Sequence, residues 1–520
     1  MPSKVLFNEE SQDKILKGIN IAANAVKETL GPRGRTVIIS QPQYGSYRIT
    51  KDGVTVARAI HLPDNVEQLG AMIIRDAGEK TVSQCGDGTT TSAVLTQALC
   101  NEGDKLIKAG ANPVEVKKSI EKSVRDVCNY IRLSSTPIAG DWKKVEQVAT
   151  VSLNGDCELG ALIAKTMEKI GQYGAITVQE DHNSRGTSVE VVEGMQFDNG
   201  WMSAYFVNNA QKMTCELDNP YILIHDRVIS DMGDIIPILE QLAKEKRPLL
   251  VIAATMDGQA YQSMIANKME QGWPLCAVNA PGIGDERKFT LQDIATLTRG
   301  IVISEDFGHK LSKVSLDMLG TARKVIISKT STTIIDGSGD KDAITDRINE
   351  ITEQISKEKD GREAAILERR RAKLSSGIAI IHVGGTTETE MKERRDRCDD
   401  AVGAVKAALL EGISAGGGVC YLQAIGKVGP SSIVSEALMA PFIQMMKNAG
   451  LDYEITIAGI LNGGPQYNIS TEQHCDMIEE GIIDPSKTLI CALENAASVA
   501  ALVLTSNVSI TIENDLPNKK

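Results

Sequence analysis

Two spacings of apolar residues divide the chain. Near both ends, apolar residues recur every three or four positions, as Ile15, Ile19 and Val26 do, which predicts amphipathic helices. In the middle, short aliphatic runs such as Tyr221–Ile224 and Pro248–Ala253 alternate with helical stretches, which is typical of an α/β unit. We therefore predict a multi-domain α/β protein whose two ends are mainly helical.

Glycine and proline mark where the predicted elements end. The helical pattern of the first part is interrupted at Gly86-Asp87-Gly88 and again at Asn112-Pro113. Segment 341–373 is helical and densely charged, and we interpret the charge as a solvated face. One long helix is predicted from Glu388 to Glu411, ending at Gly412.

Composition narrows the classes of function. The 520 residues carry a formal net charge of −12, so nucleic acid is not an expected partner. The ten cysteines show no CxxC pair, which argues against a zinc or disulfide framework and favours a reducing compartment. No run approaches the roughly 18 apolar residues of a membrane span, and no signal core opens the chain, so we expect a cytoplasmic protein without a membrane partner.

The sharpest chemical motif is Gly86–Ser92, with sequence GDGTTTS, at the start of a predicted helix. Free N–H groups and the positive end of the helix dipole favour phosphate there, and glycines allow the backbone to approach a ligand closely. Asp87 adds a hard oxygen suited to Mg²⁺ shared with substrate phosphates. An ordinary capped helix after a glycine turn is the alternative, and no Walker A sequence is present.

The other candidate site residues give weaker signals when each motif is considered alone. The acids Asp399 and Asp400 fit a metal contact or a base that orients water, but two solvated acids are the simpler interpretation. The turns that could assist a phosphate site are Gly31-Pro32, Lys51-Asp52-Gly53, Gly416–Gly418 and Asp484-Pro485. Apolar stripes at 235–242 and 261–268 fit core helices better than an exposed groove.

Several segments, in this order along nearly the whole chain, resemble the GroEL-type (group I) chaperonins. They are Thr29–Gly34, Thr50–Val54, Gly86–Thr91, Val191–Phe197, Leu291–Thr298, Thr332–Gly337 and Ala415–Gly418. The resemblance implies a GroEL-like fold with a mainly helical equatorial ATPase domain (1–136 and 412–520). It also implies a small α/β intermediate hinge domain (137–193 and 377–411) and an α/β apical domain for substrate and co-chaperonin (194–376).

The resemblance also implies the activity. Such subunits bind unfolded polypeptides and promote their folding in a ring chamber, driven by ATP hydrolysis. They form seven-membered rings, single or double, with a GroES-type co-chaperonin, and they use Mg²⁺, with K⁺ open as a second cation. A divergent paralogue that binds polypeptide with weak or altered ATPase cycling is the alternative.

Site residues follow from matching motifs. Asp400 corresponds to the carboxylate that activates water, with Asp52 close by, and Asp87 to the metal ligand. The nucleotide-binding residues implied are Thr29, Leu30, Gly31, Pro32, Lys51, Asp87, Gly88, Thr89, Thr90, Thr91, Gly417, Asn468 and Asp484. The substrate-binding residues implied are Trp201, Ser203, Tyr205, Phe206, Ile236, Leu239, Tyr261, Ile265 and Ala266.

The chain departs from the family pattern near the base and at its end. Asn468-Ile469-Ser470 stands where Asn-Ala-Ala is usual, and the loops at 463–466 and 426–432 are shortened. The Gly-Gly-Met tail of the family is missing after Pro517. Base contacts, substrate range and co-chaperonin affinity are therefore expected to differ.

Overall fold

A computed structural model describes residues 3–41, 46–171, 174–181, 184–210, 212–245, 247–358, 360–428 and 432–512. The chain forms two compact units. The first, which we call the helical unit, comprises Met1–Lys165, Glu180–Thr187 and Val383–Lys520. The second, the sheet unit, comprises Thr166–Gln179 and Ser188–His382. The division into three domains stays a prediction, and parts of the loop at 426–432 and the end after Pro517 lie outside the described residues.

Seventeen α-helices occur in the described chain. They are α1 Asn8–Lys27, α2 Gly53–Ala59, α3 Asn65–Cys85, α4 Thr89–Lys108, α5 Pro113–Ser134, α6 Trp142–Ser152, α7 Cys157–Ile170, α8 Ile236–Glu245, α9 Gly258–Gln271, α10 Asp285–Thr298, α11 Lys341–Lys357, α12 Gly361–Ser375, α13 Glu388–Glu411, α14 Val419–Ala424, α15 Ile433–Ala449, α16 Glu454–Leu461 and α17 Ser486–Thr505.

The β-strands are short. They are β1 Ser3–Phe7, β2 Val37–Gln41, β3 Ser46–Thr50, β4 Ala175–Glu180, β5 Thr187–Val192, β6 Gly194–Phe197, β7 Cys215–Asp218, β8 Tyr221–His225, β9 Val228–Ile229, β10 Leu249–Ala253, β11 Thr255–Met256, β12 Leu275–Asn279, β13 Val302–Ile303, β14 Gly320–Ile327, β15 Thr332–Gly337, β16 Ile378–Val383, β17 Ile413–Ala415, β18 Gln466–Asn468, β19 Gln473–Cys475, β20 Ile483–Pro485 and β21 Val508–Ile512.

The helical unit is built around α17, which packs against α3, α4 and α5. This helix is long and apolar enough to cross a membrane, contrary to the sequence reading, but 67% of its apolar window is buried inside the protein. Its apolar residues therefore serve as core. The antiparallel pairs β1–β21, β2–β3, β17–β20 and β18–β19 complete the unit.

The sheet unit confirms the predicted α/β middle region. Its main sheet has the strand order β12-β10-β8-β14-β15-β6, with β13 paired to β8 and β7 to β14. Strands β12, β10 and β8 are parallel, while β14 runs antiparallel to β8, β7 and β15. The parallel strands are buried along nearly their whole length, as expected of strands covered on both faces. Strands β4, β16 and β5 form a second, three-stranded sheet.

The charged segment 341–373 differs from its prediction. It forms two helices, α11 and α12, and not all of its charge is solvated. Arg347 and Arg370 both pair with the fully buried Asp293 of α10, at 2.9 Å and 2.8 Å between guanidinium nitrogens and carboxylate oxygens. One carboxylate thus connects the three helices α10, α11 and α12. The density of charged residues in the sequence does not indicate which arginines point into the protein and which point to solvent.

We predict that Asp293→Ala destabilises the sheet unit, because two guanidiniums would lose their buried counter-ion. The cost expected for breaking such a pair is about 3–5 kcal/mol, and a thermal melt would show a lower midpoint. Glu353→Ala, which removes an exposed carboxylate from α11, is the control and should leave the midpoint unchanged. Equal midpoints for both variants would contradict a structural role for Asp293.

Candidate functional site

A cavity of about 480 Å³ lies within the helical unit. That volume is in the range of small-molecule sites. Its wall contains every residue that the resemblance assigned to nucleotide, metal or catalysis. These are Thr29, Leu30, Gly31, Pro32, Lys51, Asp52, Asp87, Gly88, Thr89, Thr90, Thr91, Asp400, Gly417, Asn468 and Asp484. Their individual roles stay predictions, but residues far apart in sequence share one cavity.

The first turn of α4 is not capped by a side chain. Its N-cap residue, Gly88, has φ 94° in the left-handed region and supplies no capping hydrogen bond. A Cβ at this position would lie 2.7 Å from Cγ2 of Thr488, so space as well as backbone conformation requires glycine. The N–H groups of an uncapped helix start need another acceptor. The alternative of an ordinarily capped helix is therefore not what the structure shows.

Close packing fixes the threonines around this helix start. The Thr29 and Thr90 hydroxyls are 3.3 Å apart, and Thr29 also donates to the Val26 carbonyl oxygen at 2.8 Å. A Cβ on Gly53 would lie 2.5 Å from Oγ1 of Thr90. The ends of α1, α2 and α4 therefore meet at one side of the cavity.

Carboxyl groups occupy the same cavity. Asp87 accepts from the Gly88 N–H at 2.5 Å and from the Ser152 hydroxyl at 3.1 Å, yet burial raises its pKa, with a smaller contribution from Asp52. Burial, followed by the charges of Asp87 and Asp52, raises the pKa of Asp400 well above its usual range. Burial and Asp87 together raise the pKa of Asp484 to about 7. In none of the three does a neighbouring basic side chain lower the pKa to offset these effects.

Asp52 has a structural function beyond its predicted catalytic one. It is the N-cap of α2 and accepts from the N–H groups of Val54 and Thr55, at 3.0 Å and 2.9 Å, and from the Thr55 hydroxyl at 2.5 Å. These bonds fix the orientation of its carboxylate at the cavity wall. Lys51-Asp52-Gly53 is therefore both a turn at the start of α2 and part of the cavity wall, so its two interpretations are compatible.

The charged side chains that line the cavity favour a cation as part of the ligand. Six acids line it, Asp52, Asp87, Glu393, Asp396, Asp400 and Asp484, against the two bases Lys51 and Arg397. Within the described part of the chain, no group of three histidine, cysteine or acidic side chains has the arrangement of a preformed metal site. The oxygen donors therefore suit Mg²⁺ brought in with phosphate oxygens, held through Asp87 in particular.

Part of the cavity lining is apolar. Ile469 and Met477 are buried there, and Asn468 accepts from the Ser470 N–H at 2.9 Å, so its side-chain oxygen stabilises its own turn. The turn at Asn468 therefore forms although Ile469-Ser470 differs from the family pattern. A flat apolar base could pack in this part of the cavity.

Some lining residues were missed by sequence reasoning. Ser152 is the last residue of α6 and Asn154 lies in the turn that follows it, and Arg397 lies on α13, three residues before Asp400. Arg397 donates to Glu393 at 2.8 Å, while its buried Nε has no hydrogen-bond partner among the residues that the structure describes. The Asn154-Gly155 turn was the available signal for the first two, and helical spacing from Asp400 for the third.

The predicted substrate-binding residues lie in the sheet unit, and two of them need correction. Phe206 is fully buried and Leu239 is 6% exposed, because both belong to the core cluster of that unit. Their side chains therefore present almost no surface to a substrate in this conformation. The remaining predicted residues are at least partly exposed: Trp201, Ser203, Tyr205, Ile236, Tyr261, Ile265 and Ala266. Helix α8 begins at Ile236, shortly after the 3₁₀ turn Met232–Asp234.

The chain matches the TCP-1/cpn60 chaperonin family over residues 22–512, and it belongs to that family. Among solved structures, it is similar to the chaperonin gp146 from the bacteriophage EL 2 (Pseudomonas aeruginosa), crystallised in presence of ATP-BeFx. The identity is 25%, the TM-score is 0.72, and the match covers 98% of this chain and 99% of the other. The GroEL-like fold inferred from the sequence motifs is thus confirmed.

Asp484 generates a prediction about pH. Its folded-state pKa of about 7 exceeds the ordinary value of 3.8, so wild type loses stability as the pH rises between these two values. Asp484→Asn removes that penalty. Its gain over wild type should grow from pH 4 to pH 7, reach at least about 1 kcal/mol, and stay constant above.

Thermal melts of the nucleotide-free protein across this pH range would measure the gain. Asp126→Asn, on the exposed face of α5, is the control and should track wild type throughout. A difference between Asp484→Asn and wild type that does not change with pH would show that Asp484 is not the titrating group.

Proposed function

We propose that this chaperonin subunit binds unfolded polypeptides and promotes their folding with energy from ATP hydrolysis. The observation that carries the proposal is the uncapped start of α4 inside a cavity that holds three buried carboxyls of raised pKa, Asp87, Asp400 and Asp484. A triphosphate with Mg²⁺ would satisfy both requirements at once, because its oxygens accept from N–H groups and its cation offsets the carboxylates. The crystallisation of the related phage chaperonin in presence of ATP-BeFx supports the same proposal.

The residues of this chain suggest how the reaction would proceed. The N–H groups of Thr89–Thr91 and the ammonium of Lys51 would hold phosphate oxygens, and Asp87 would hold Mg²⁺, which supplies positive charge at the phosphates. Asp400 would orient water and accept its proton. Burial and the neighbouring carboxylates raise the pKa of Asp400 and so favour its protonated form, and positive charge entering the cavity would favour the carboxylate.

Assembly is part of the proposal. Two antiparallel pairs, β1–β21 and β2–β3, expose apolar side chains, including Ile38 at 70% and Ile510 at 65%. Two-stranded pairs with open edges are suited to pairing with another copy of the chain. We propose a homo-oligomeric ring of seven subunits, single or double, a GroES-type partner and a cytoplasmic location.

A second candidate is a paralogue that binds polypeptide but cycles ATP weakly. The altered residues beside Asn468 favour it, because they lie where a base would pack. Measuring ATP hydrolysis with and without Mg²⁺ distinguishes the two. Turnover that depends on Mg²⁺ supports the folding ATPase, and nucleotide binding without turnover supports the paralogue.

We predict that Asp400→Ala retains ATP binding but lowers hydrolysis by about 100-fold or more, because general-base and orienting groups contribute roughly this much. Equilibrium binding of ATP and the steady-state release of phosphate separate the two effects. Asp399→Ala, on the exposed neighbour in the same helix, is the matched control and should keep most of the activity. Normal turnover in Asp400→Ala would remove Asp400 from the mechanism.

For polypeptide binding, Ile236→Ser should weaken the capture of a chemically unfolded client several-fold without lowering the melting temperature. Ile236 is 41% exposed at the start of α8, so its loss removes contact surface rather than core. Retention of the client on the chaperonin in size-exclusion chromatography is the measurement. Leu133→Ser, which replaces an 88% exposed residue of α5, is the control. Equal binding by both variants would exclude Ile236 from the client surface.

A further inference from the structure

Strand β3 carries an arginine that contacts the helix of Asp400. Nη2 of Arg48 lies 2.8 Å from Oδ2 of Asp396 on α13, so an ion pair joins the β2–β3 hairpin to that helix. The two residues are 348 positions apart in sequence, and both belong to the helical unit. The ion pair is therefore a tertiary contact within one compact unit.

Alternation along β3 turns Arg48 towards the protein. Tyr47 and Ile49 are exposed, at 65% and 36%, whereas Thr50 is 3% exposed and lines the cavity. Because successive side chains of a strand point to opposite faces, Arg48 and Thr50 share the inward face. The side chains of Arg48 and Asp396 are only 33% and 22% exposed, so salt screens their attraction less than that of a fully exposed pair.

Asp396 is held by both of its carboxylate oxygens. Its Oδ1 accepts from Nε and Nη2 of Arg395, at 3.1 Å and 2.5 Å, while its Oδ2 accepts from Arg48. The side chain of Arg395 is 8% exposed and also pairs with Glu180, the last residue of β4. Four side chains of alternating charge thus form one chain of contacts, and they fix the orientation of the Asp396 carboxylate.

This contact lies one helical turn from Asp400. Asp396 and Asp400 both belong to α13 and both line the cavity. Residues four apart lie on the same face of a helix, about 6 Å apart along its axis, so a displacement of Asp396 moves Asp400 as well. Arg395 belongs to α13 itself, whereas Arg48 comes from the strand that leads into Lys51 of the cavity wall.

We propose that Arg48 is a positioning residue for ATP hydrolysis, which acts through Asp396 to set the position of Asp400 beside the phosphates. This inference rests on the proposed function, in which Asp400 orients the attacking water. Arg48 is not among the described residues that line the cavity, so its loss leaves the contacts to nucleotide in place. The turnover step is affected instead, because a displacement of about 1 Å at a reacting group lowers a rate by up to about 100-fold.

Steady-state ATP hydrolysis by the assembled full-length protein tests the proposal. Arg48→Ala should lower kcat between about 10- and 100-fold and leave KM within about twofold of wild type. Arg48→Lys keeps a cation that reaches Asp396 through a single contact, and it should recover most of the lost activity. Arg58→Ala is the matched control and should keep the wild-type kcat, because it breaks a single ion pair on α2, with Glu79 at 2.7 Å, that does not involve α13.

A double-mutant cycle tests the route through α13. Asp396→Ala should lower kcat, and adding Arg48→Ala to it should cause no further loss, because both changes remove the same contact. Arg48→Ala should likewise cause no further loss in Asp400→Ala, whose water-orienting group is absent.

Three results would overturn the inference while leaving the proposed function standing. They are a wild-type kcat in Arg48→Ala, an equal loss in Arg48→Lys and Arg48→Ala, and a loss in either double variant that equals the product of the two single losses. If the wild-type protein itself hydrolyses no ATP, the proposed function fails and this inference fails with it. The wild-type measurement therefore distinguishes the two failures.

Discussion

The constraint on which the site depends is the backbone at Gly88. Its left-handed conformation turns the chain into α4 without providing a side-chain cap, and Thr488 leaves no room for a larger residue. The first N–H groups of α4 therefore need an acceptor from outside the helix. The other features of the cavity surround this helix start. They include the end of α1, the start of α2 and the acids on α13.

The acids of the cavity show a second constraint. Burial and mutual repulsion raise the pKa values of Asp87, Asp400 and Asp484, which means that the nucleotide-free site holds its carboxyl groups at a cost in stability. Such a cost is expected where binding has to supply compensating charge. In contrast, the charge of the buried Asp293 of the sheet unit is balanced by two arginine partners.

Local sequence signals predicted much of the fold. Breaks at Gly86–Gly88 and Asn112-Pro113, and the helix Glu388–Glu411, were recovered because capping and backbone preferences are local. Burial of Phe206 and Leu239, the inward direction of Arg347 and Arg370, and the arrival of Arg397 at the cavity depend on tertiary packing. Periodicity identifies an apolar face or a charged helix, but it does not identify the residues against which that face packs.

The most direct test is a structure determined with Mg²⁺ and a slowly hydrolysed ATP analogue. We expect phosphate oxygens to accept hydrogen bonds from the N–H groups of Thr89–Thr91 and the Asp87 carboxylate to contact the cation, as the proposed mechanism requires. Nucleotide bound elsewhere, or a cavity that stays empty at saturating nucleotide while the start of α4 keeps its conformation, would contradict it.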